Sequence, residues 1–401
     1  MEHPYLCITE KFRKVLLKRI KEKIKMAVGK PSMPISHIPF KTLAKHQARI
    51  PAMEAKKTLE KEWSSLLPEI LNLIAKNLNE VSDFVRFRAV CKAWRSSTPI
   101  TDLPPQFPWI IVSYIRKEDL GCYNISSNKF YTTHPPKYFT FLHGLAEGRM
   151  LAVLSEKFGD SITYQLSLLN PLNNHEIPLP TIDFGNCYPM LLYPWKNQMR
   201  KYLVCYVDGY NSYQLCFWQL GQNNWSKLNL DPSSKHGRIF HLKNMFFIVE
   251  RETGVTKAVD MDTGTLLYVI PPTEEYSIKD DQYMAEASGD IFRVIARSPG
   301  FLSSGRFDVY QLGANKIGSP CWVKVTSIGN RALFIDWHSL LILTANDFTG
   351  IKRNSIYFYV FKKNHGGCDV KRMDIETGAV EHLPRSIKNP GYWFVPNLHH
   401  M

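Results

Sequence analysis

The chain has 401 residues, 44% hydrophobic and 21% charged, with a formal net charge of +14. That length suits one large domain and a small one, and the composition is that of a globular protein. No apolar run reaches the roughly eighteen residues of a transmembrane helix, and the N-terminus lacks the apolar core of a secretory signal. The eight cysteines, at positions 7, 91, 122, 187, 205, 216, 321 and 368, form no Cys-x-x-Cys pair. Their spacing suggests neither a zinc site nor a disulfide framework, so reduced thiols in an intracellular protein, nuclear or cytoplasmic, are expected. Asn124 and Asn224 head glycosylation patterns that mean nothing in such a compartment.

Residues 1–60 hold 14 Lys and Arg against 5 Asp and Glu, a net +9, which leaves +5 for the other 341 residues. The basic balance therefore belongs to an N-terminal extension, and no nucleic-acid-binding body is expected. Within the extension, Thr9–Val28 has the pattern of a basic amphipathic helix, with Phe12, Leu16, Ile20 and Ile24 on one face. Such a helix suits an anionic membrane, an acidic partner or a nuclear address, and a solvated tail remains the plain alternative. Residues 31–60, rich in Pro and Lys, read as linker.

Residues 63–97 read WSSLLPEILNLIAKNLNEVSDFVRFRAVCKAWRSS. Leu67, Leu71, Ile74 and Leu78 recur at the spacing of one helical face, and Leu66, Ile70 and Leu73 form a second row beside it. Pro68 suits a first helical turn, where its missing N–H costs nothing. Ser82 and Asp83 offer a cap for a second stretch carrying Phe84, Phe87, Cys91 and Trp94. So short a segment has more apolar surface than it can bury by itself, and the surplus is expected to face a partner.

The string Leu67-Pro68-x-Ile70-Leu71-x-x-Ile74-x-x-x-Leu78, followed by Val90-Cys91-Lys92-x-Trp94-Arg95, resembles the F-box. That resemblance implies a small three-helix module, residues 61–100, which docks onto a Skp-type adaptor and through it a cullin. The adaptor contacts expected on this basis are Leu67, Pro68, Ile70, Leu71, Ile74, Leu78, Val90 and Trp94. Some of these must instead hold the helices together.

Beyond Pro99, Pro104, Pro105 and Pro108 the texture turns from helix to strand. Strands are expected at Trp109–Tyr114, Met150–Ser155, Tyr202–Val207, Met245–Val249, Ile291–Ala296, Ser339–Thr344 and Ile356–Phe361, several apolar enough to be buried on both faces. Polar hairpins of one kind recur between them, the clearest being Asp260-x-x-Thr263-Gly264 and Asp374-x-x-Thr377-Gly378. There an acidic side chain precedes the reversal and glycine supplies positive φ. Taking Ser127, Asn173, Asn223, Thr263, Asn315 and Thr377 as markers, the intervals are 46, 50, 40, 52 and 62. This spacing predicts a mainly β domain over residues 101–401, a kelch-like β-propeller of about six blades, with a β-sandwich as the alternative.

The stretches Trp322–Phe334, Asp347–Phe358 and Gly391–Pro396 resemble plant F-box proteins with a kelch-like C-terminal domain. The regular Gly-Gly doublet of kelch blades is missing. The resemblance implies a substrate-recognition subunit of a Skp–cullin–F-box ubiquitin ligase, whose propeller holds an unknown target. A scaffold acting outside a ligase is the alternative.

No phosphate-binding glycine loop and no Gly-x-Ser-x-Gly occur. His365-Gly-Gly-Cys368-Asp369 reads as an exposed loop, and Glu274, Glu275, Asp280 and Asp281 as a solvated acidic loop. No catalytic residue, cofactor, metal or membrane span is expected, and a propeller enzyme is the reading least supported.

Overall fold

The computed structural model describes residues 66–398 except 79, 117–118, 136–140, 145–149, 159–160, 182–188, 195–200, 208–212, 220, 229–235, 244, 261–262, 298–304, 337–338, 349, 362–366 and 389. The expected basic extension and linker lie outside the described residues. The chain divides into two compact units, one holding the residues up to Gln106 and one spanning Phe107–His400.

The first unit contains helices α1 (Pro68–Lys76), α2 (Val81–Arg88) and α3 (Lys92–Ser97), then a 3-10 turn at Ile100–Asp102. Pro68 opens α1, as its missing N–H predicts. Ser82 and Asp83 do not cap α2: its N-cap is Glu80, in extended conformation, and both expected caps lie in the first turn. There Asp83 faces the helix N-terminus and pairs with Arg86 at 3.6 Å, a position that suits a carboxylate. The chain breaks at Ala89–Cys91, so Phe87 and Trp94 sit on different helices, with ring centroids 4.4 Å apart. The Asn72 amide donates to the Asp102 carboxylate and ties α1 to the 3-10 turn.

Among the described residues the second unit is six sheets in chain order, antiparallel but for one strand pair in the last. Sheet 1 holds β1 (Trp109–Arg116), β2 (Asp119–Asn124) and β3 (Lys129–Thr133). Sheet 2 is β4 (Phe141–Gly144), β5 (Met150–Phe158), β6 (Ser161–Asn170) and β7 (His175–Pro178). Sheet 3 is β8 (Pro189–Pro194), β9 (Lys201–Val207), β10 (Tyr213–Gln219) and β11 (Ser226–Leu228). Sheet 4 is β12 (His236–Leu242), β13 (Met245–Glu250), β14 (Thr256–Asp260) and β15 (Leu266–Ile270). Sheet 5 is β16 (Asp281–Ala287), β17 (Asp290–Ala296), β18 (Phe307–Ala314) and β19 (Pro320–Lys324). Sheet 6 is β20 (Arg331–Ile335), β21 (Leu340–Thr344), β22 (Ser355–Phe361), β23 (Gly367–Asp374) and β24 (Val380–Lys388). The last strand, β25 (Pro390–Phe394), returns to sheet 1 and pairs with β1, giving the order β25-β1-β2-β3.

This is the mainly β, six-bladed propeller arrangement that the hairpin spacing predicts. Neighbouring sheets approach at their inner edges, where β25 lies beside β4, β12 beside β16 and β16 beside β21, and sheets 4 and 5 also meet at their outermost strands, β15 and β19. The opposite strands form the outer rim. All six marker residues fall in the hairpin joining the two outermost strands of a sheet. Sheet 6 departs from the pattern. Its order is β21-β20-β22-β23-β24, and β20 and β22 run parallel. A short hairpin folds inward before the chain crosses over β20.

Apolar clusters lie between consecutive sheets. One joins Phe247 and Ala258 of sheet 4 to Met284 and Ile291 of sheet 5. A second joins Phe292 and Val294 of sheet 5 to Ile356 and Phe358 of sheet 6. The third joins sheet 6 back to sheet 1, where Phe334 stacks on Tyr357 at 4.6 Å and meets Trp393 of β25 edge-on at 5.1 Å. Buried Asp336 accepts from the Ser339 N–H at 2.7 Å and the Trp393 N–H at 3.2 Å, which fixes β25 to sheet 6 through polar bonds as well.

Candidate interaction surfaces

In the helical unit the two apolar rows of α1 have different fates. Leu71, at 0% exposure, Ile74 and Leu78 point inward with Phe84, Phe87 and Trp94. They fill the unit's own core. Leu71, Ile74, Leu78 and Trp94, four of the expected adaptor contacts, are thus buried in the free chain, where so small a unit needs such side chains inside to hold three helices together. Leu67, Pro68 and Ile70 are exposed, and Val90 is half-buried. Leu73 joins them, so Leu67 (64% exposed), Ile70 (40%) and Leu73 (61%) make a continuous apolar row at i, i+3 and i+6. The sequence places Ile70 and Leu73 in the second row but Leu67 in the first, so the open row crosses the two rows that spacing defines. Val85 on α2 is exposed as well.

In the β unit the acidic segment before β16 is largely exposed, as expected, but three of its four carboxylates are ion-paired. Arg297 donates to Asp308 at 2.5 Å, to Asp280 at 2.9 Å and to Glu275 at 2.9 Å. Lys324 adds a contact to Asp308 at 2.8 Å. Burial alone would raise the Asp308 carboxyl, but bonds from Lys324 and Arg297 outweigh it and hold the group below the ordinary carboxylate range. Asp281 pairs with Arg238 at 2.7 Å. The same connection is gripped from sheet 4: the Tyr276 hydroxyl donates to the Arg251 carbonyl at 2.5 Å, and its ring lies against Gly254. Gly254 has φ of +72°, so no other residue fits that turn as well. The connection between sheets 4 and 5 is thus a fixed strap.

Beneath the strap, Arg293 is wholly buried between sheets 4 and 5. It donates to Gln282 and to Thr256, the latter at 3.4 Å, and its guanidinium lies 5.4 Å over the Trp322 ring. Burial pushes its pKa down to about 10.

A family model described as KIB1-4 beta-propeller matches residues 122–382, about two thirds of the chain. The chain belongs to the KIB1-4 beta-propeller family. The match starts in β2 and ends in β24, so the helical unit lies outside it. Among relatives, a protein of Arabidopsis thaliana whose name places it with the F-box proteins is 26% identical over 84% of this chain and 95% of its own length. Another Arabidopsis thaliana protein, named F-box protein, is 24% identical over 84% of this chain and 96% of its own. A third, named F-box/kelch-repeat protein, is 20% identical over 83% and 94%. Among solved structures, TolB from Acinetobacter baumannii aligns with a TM-score of 0.43 at 10% identity, over 78% of this chain and 71% of that one, a likeness too distant to build on.

The resemblance to plant F-box proteins with a propeller domain is therefore met by relatives so named and by this KIB1-4 propeller. The rim turns show how this chain departs from regular kelch repeats. Four rim hairpins share the pattern Asp/Asn-x-x-Thr/Ser/Asn-Gly/Asn. Asn128 and Asn174, at φ of 54° and 57°, stand where Gly264 and Gly378 stand elsewhere. Asn tolerates the left-handed region, so the turn persists while the glycine signal disappears from the sequence. In these turns Asp260 accepts from the Thr263 N–H at 2.8 Å and Asp374 from the Thr377 N–H at 3.0 Å.

Chemistry-bearing residues do not converge among the described positions. Burial pushes the Cys122 and Cys368 thiols up to about 12, far from the thiolate a nucleophile needs. In the His365–Asp369 cluster, His365 and Gly366 lie outside the described residues, and Cys368 is a buried strand residue. No group of three or more His, Cys, Asp and Glu side chains suited to a metal occurs among the described residues. No helix among them is long and apolar enough to cross a membrane.

Proposed function

We propose that this protein is a substrate-recognition subunit of a Skp–cullin–F-box ubiquitin ligase. On this reading residues 61–100 are the F-box and residues 101–401 recruit the target. The observation that carries it is the exposed row Leu67, Ile70 and Leu73 above a closed three-helix core, in a chain whose relatives are named F-box proteins. The helical unit lays that row on a Skp-type adaptor, with Pro68 and Val90 at its margin, and the adaptor brings a cullin. The propeller holds an unidentified target protein. The chain makes and breaks no bond. It acts by raising the local concentration of target lysines near a ubiquitin-loaded enzyme, in the nucleus or cytoplasm.

Co-purification with a Skp-type adaptor and a cullin tests this reading. Both should be recovered with the wild-type chain and lost together when Ile70 and Leu73 are changed to aspartate. A folded chain that ignores every Skp-type adaptor sinks it. Adaptor without cullin points instead to a scaffold outside a ligase.

A further inference from the structure

The outer strands of the six sheets differ in how their free edges are protected. A free edge presents unpaired N–H and C=O groups to any passing strand, and proteins blunt it with charges or proline. Lys129 lies in β3, Glu176 and Pro178 in β7, and Lys227 in β11. Pro320 and Lys324 lie in β19, and Glu381 and Pro384 in β24. Strand β15 reads Leu-Leu-Tyr-Val-Ile, with neither a charge nor a proline.

Its side chains are also turned outward. Leu266 is 55% exposed, Leu267 47% and Val269 45%. Tyr268 and Ile270 anchor the strand in the core between sheets 4 and 5. In the order β12-β13-β14-β15, β14 is its only partner among the described strands. The pairing shifts register between Ala258 and Val259, which leaves Leu267 unpaired and the ladder regular over Tyr268–Ile270.

We propose that the edge of β15 is the docking site for an extended apolar segment of the target protein, flanked by basic residues. This rests on reading the chain as a target-recruiting subunit, and it names where the target binds. The guest strand adds to sheet 4 through main-chain bonds along Tyr268–Ile270 and packs its side chains on Leu266, Leu267 and Val269. Charge selects its flanks. Asp260 before the strand and Glu274 after it are carboxylates, and residues 260–275 hold no Lys or Arg in a chain whose net charge is +14, although Glu275 is already held by Arg297 at 2.9 Å. Lys257, opposite Val269 on β14, is already paired with Glu250 at 2.8 Å. Length argues against a second copy of the chain. A five-residue strand spans about 17 Å, and a stable dimer buries roughly 1,200 Å² or more, which a seam of that length does not supply.

The test is fluorescence anisotropy with the full chain and three labelled peptides of about seven residues. One alternates valine and threonine between terminal lysines, one has proline at its centre, and one has glutamate at both ends. The lysine-ended peptide should bind, and the other two at least about tenfold more weakly. Leu267→Lys with Val269→Lys should weaken binding at least about tenfold, whereas Val380→Lys on the rim of sheet 6 should leave it unchanged. Should the double variant fail to fold, as judged by circular dichroism, Val269→Thr should still weaken binding measurably. No binding, equal binding of all three peptides, or indifference to the β15 variants overturns the proposal. A concentration-dependent dimer that Val269→Lys abolishes assigns the edge to a second copy and overturns it too. Adaptor binding, measured on the same preparations, separates the two readings. A chain that binds the peptide but no adaptor overturns the ligase role, and the reverse overturns the docking edge alone.

Discussion

The helical unit and the β unit meet the same demand, covering apolar side chains, with very different amounts of chain. In α1 one row is buried and the next is open, because three helices of nine, eight and six residues enclose only one layer of side chains. In the β unit β17 is buried over six consecutive residues, since apolar clusters press on both of its faces. The comparison shows why exposed apolar residues mean different things in the two places. On α1 they are what a small interior leaves over. On β15 they sit at the rim of a large interior that had room for them.

The sharpest way to break this comparison is Phe87→Ala. Removing the ring that packs on Trp94 should cost about 3–5 kcal/mol, comparable to all the stability so small a unit has. Hydrogen exchange should then show lost protection across residues 68–97 with the strands unchanged. A matching loss in the β unit would mean that the two are not independent.

A smaller effect is expected in the β unit itself. Gly254→Ala forces a side chain into positive φ and into the Tyr276 ring, for about 1–3 kcal/mol, read as a lower thermal midpoint. Because Tyr276 belongs to the strap, proteolysis near Pro271–Asp280 should accelerate first.

The open row of α1 should behave in the opposite way to Phe87. Ile70→Ala should change stability by less than about 0.5 kcal/mol yet weaken adaptor binding by about 1–2 kcal/mol in a calorimetric titration. Leu71→Ala should do the reverse, destabilising the helical unit. Similar binding losses for correctly folded forms of both would erase the distinction between the rows.

The smallest effect is a pH dependence in the strap. Asp308 is held below the ordinary carboxylate value in the folded protein, so it contributes stability above the unfolded pKa of about 3.9. That contribution disappears as pH falls through the folded value. Asp308→Asn should therefore flatten the acid side of the stability profile below about pH 4 while lowering stability slightly at neutrality.

Much of this was legible in the residues. The six rim hairpins could be read because their turn chemistry is local: Asp374 accepts the Thr377 N–H and Gly378 takes φ of 69° whatever surrounds them. Strands such as β13 and β17 could be read because burial on both faces leaves an unbroken apolar run. Outer strands were harder, since half-exposed β3 alternates without strong bias. The parallel pairing of β20 with β22 is fixed by long-range packing and has no local signature. In the helical unit, spacing located the apolar residues of α1 but put Leu67 in the otherwise buried row, because Leu67 is the N-cap and lacks helical backbone geometry. The ion pairs of Glu275 and Asp280 had no signature in the sequence because their partner, Arg297, lies just past β17, 22 and 17 residues away.

The pairing of β1 with β25 joins residues near 110 to residues near 393. During synthesis, at roughly 5–20 residues per second, the first of these strands leaves the ribosome many seconds before its neighbour exists. Throughout that interval the nascent chain carries an incomplete first blade with an uncovered side. Any message cut short ahead of Pro390 makes that condition permanent, and the product becomes work for chaperones and proteases rather than a shorter working protein.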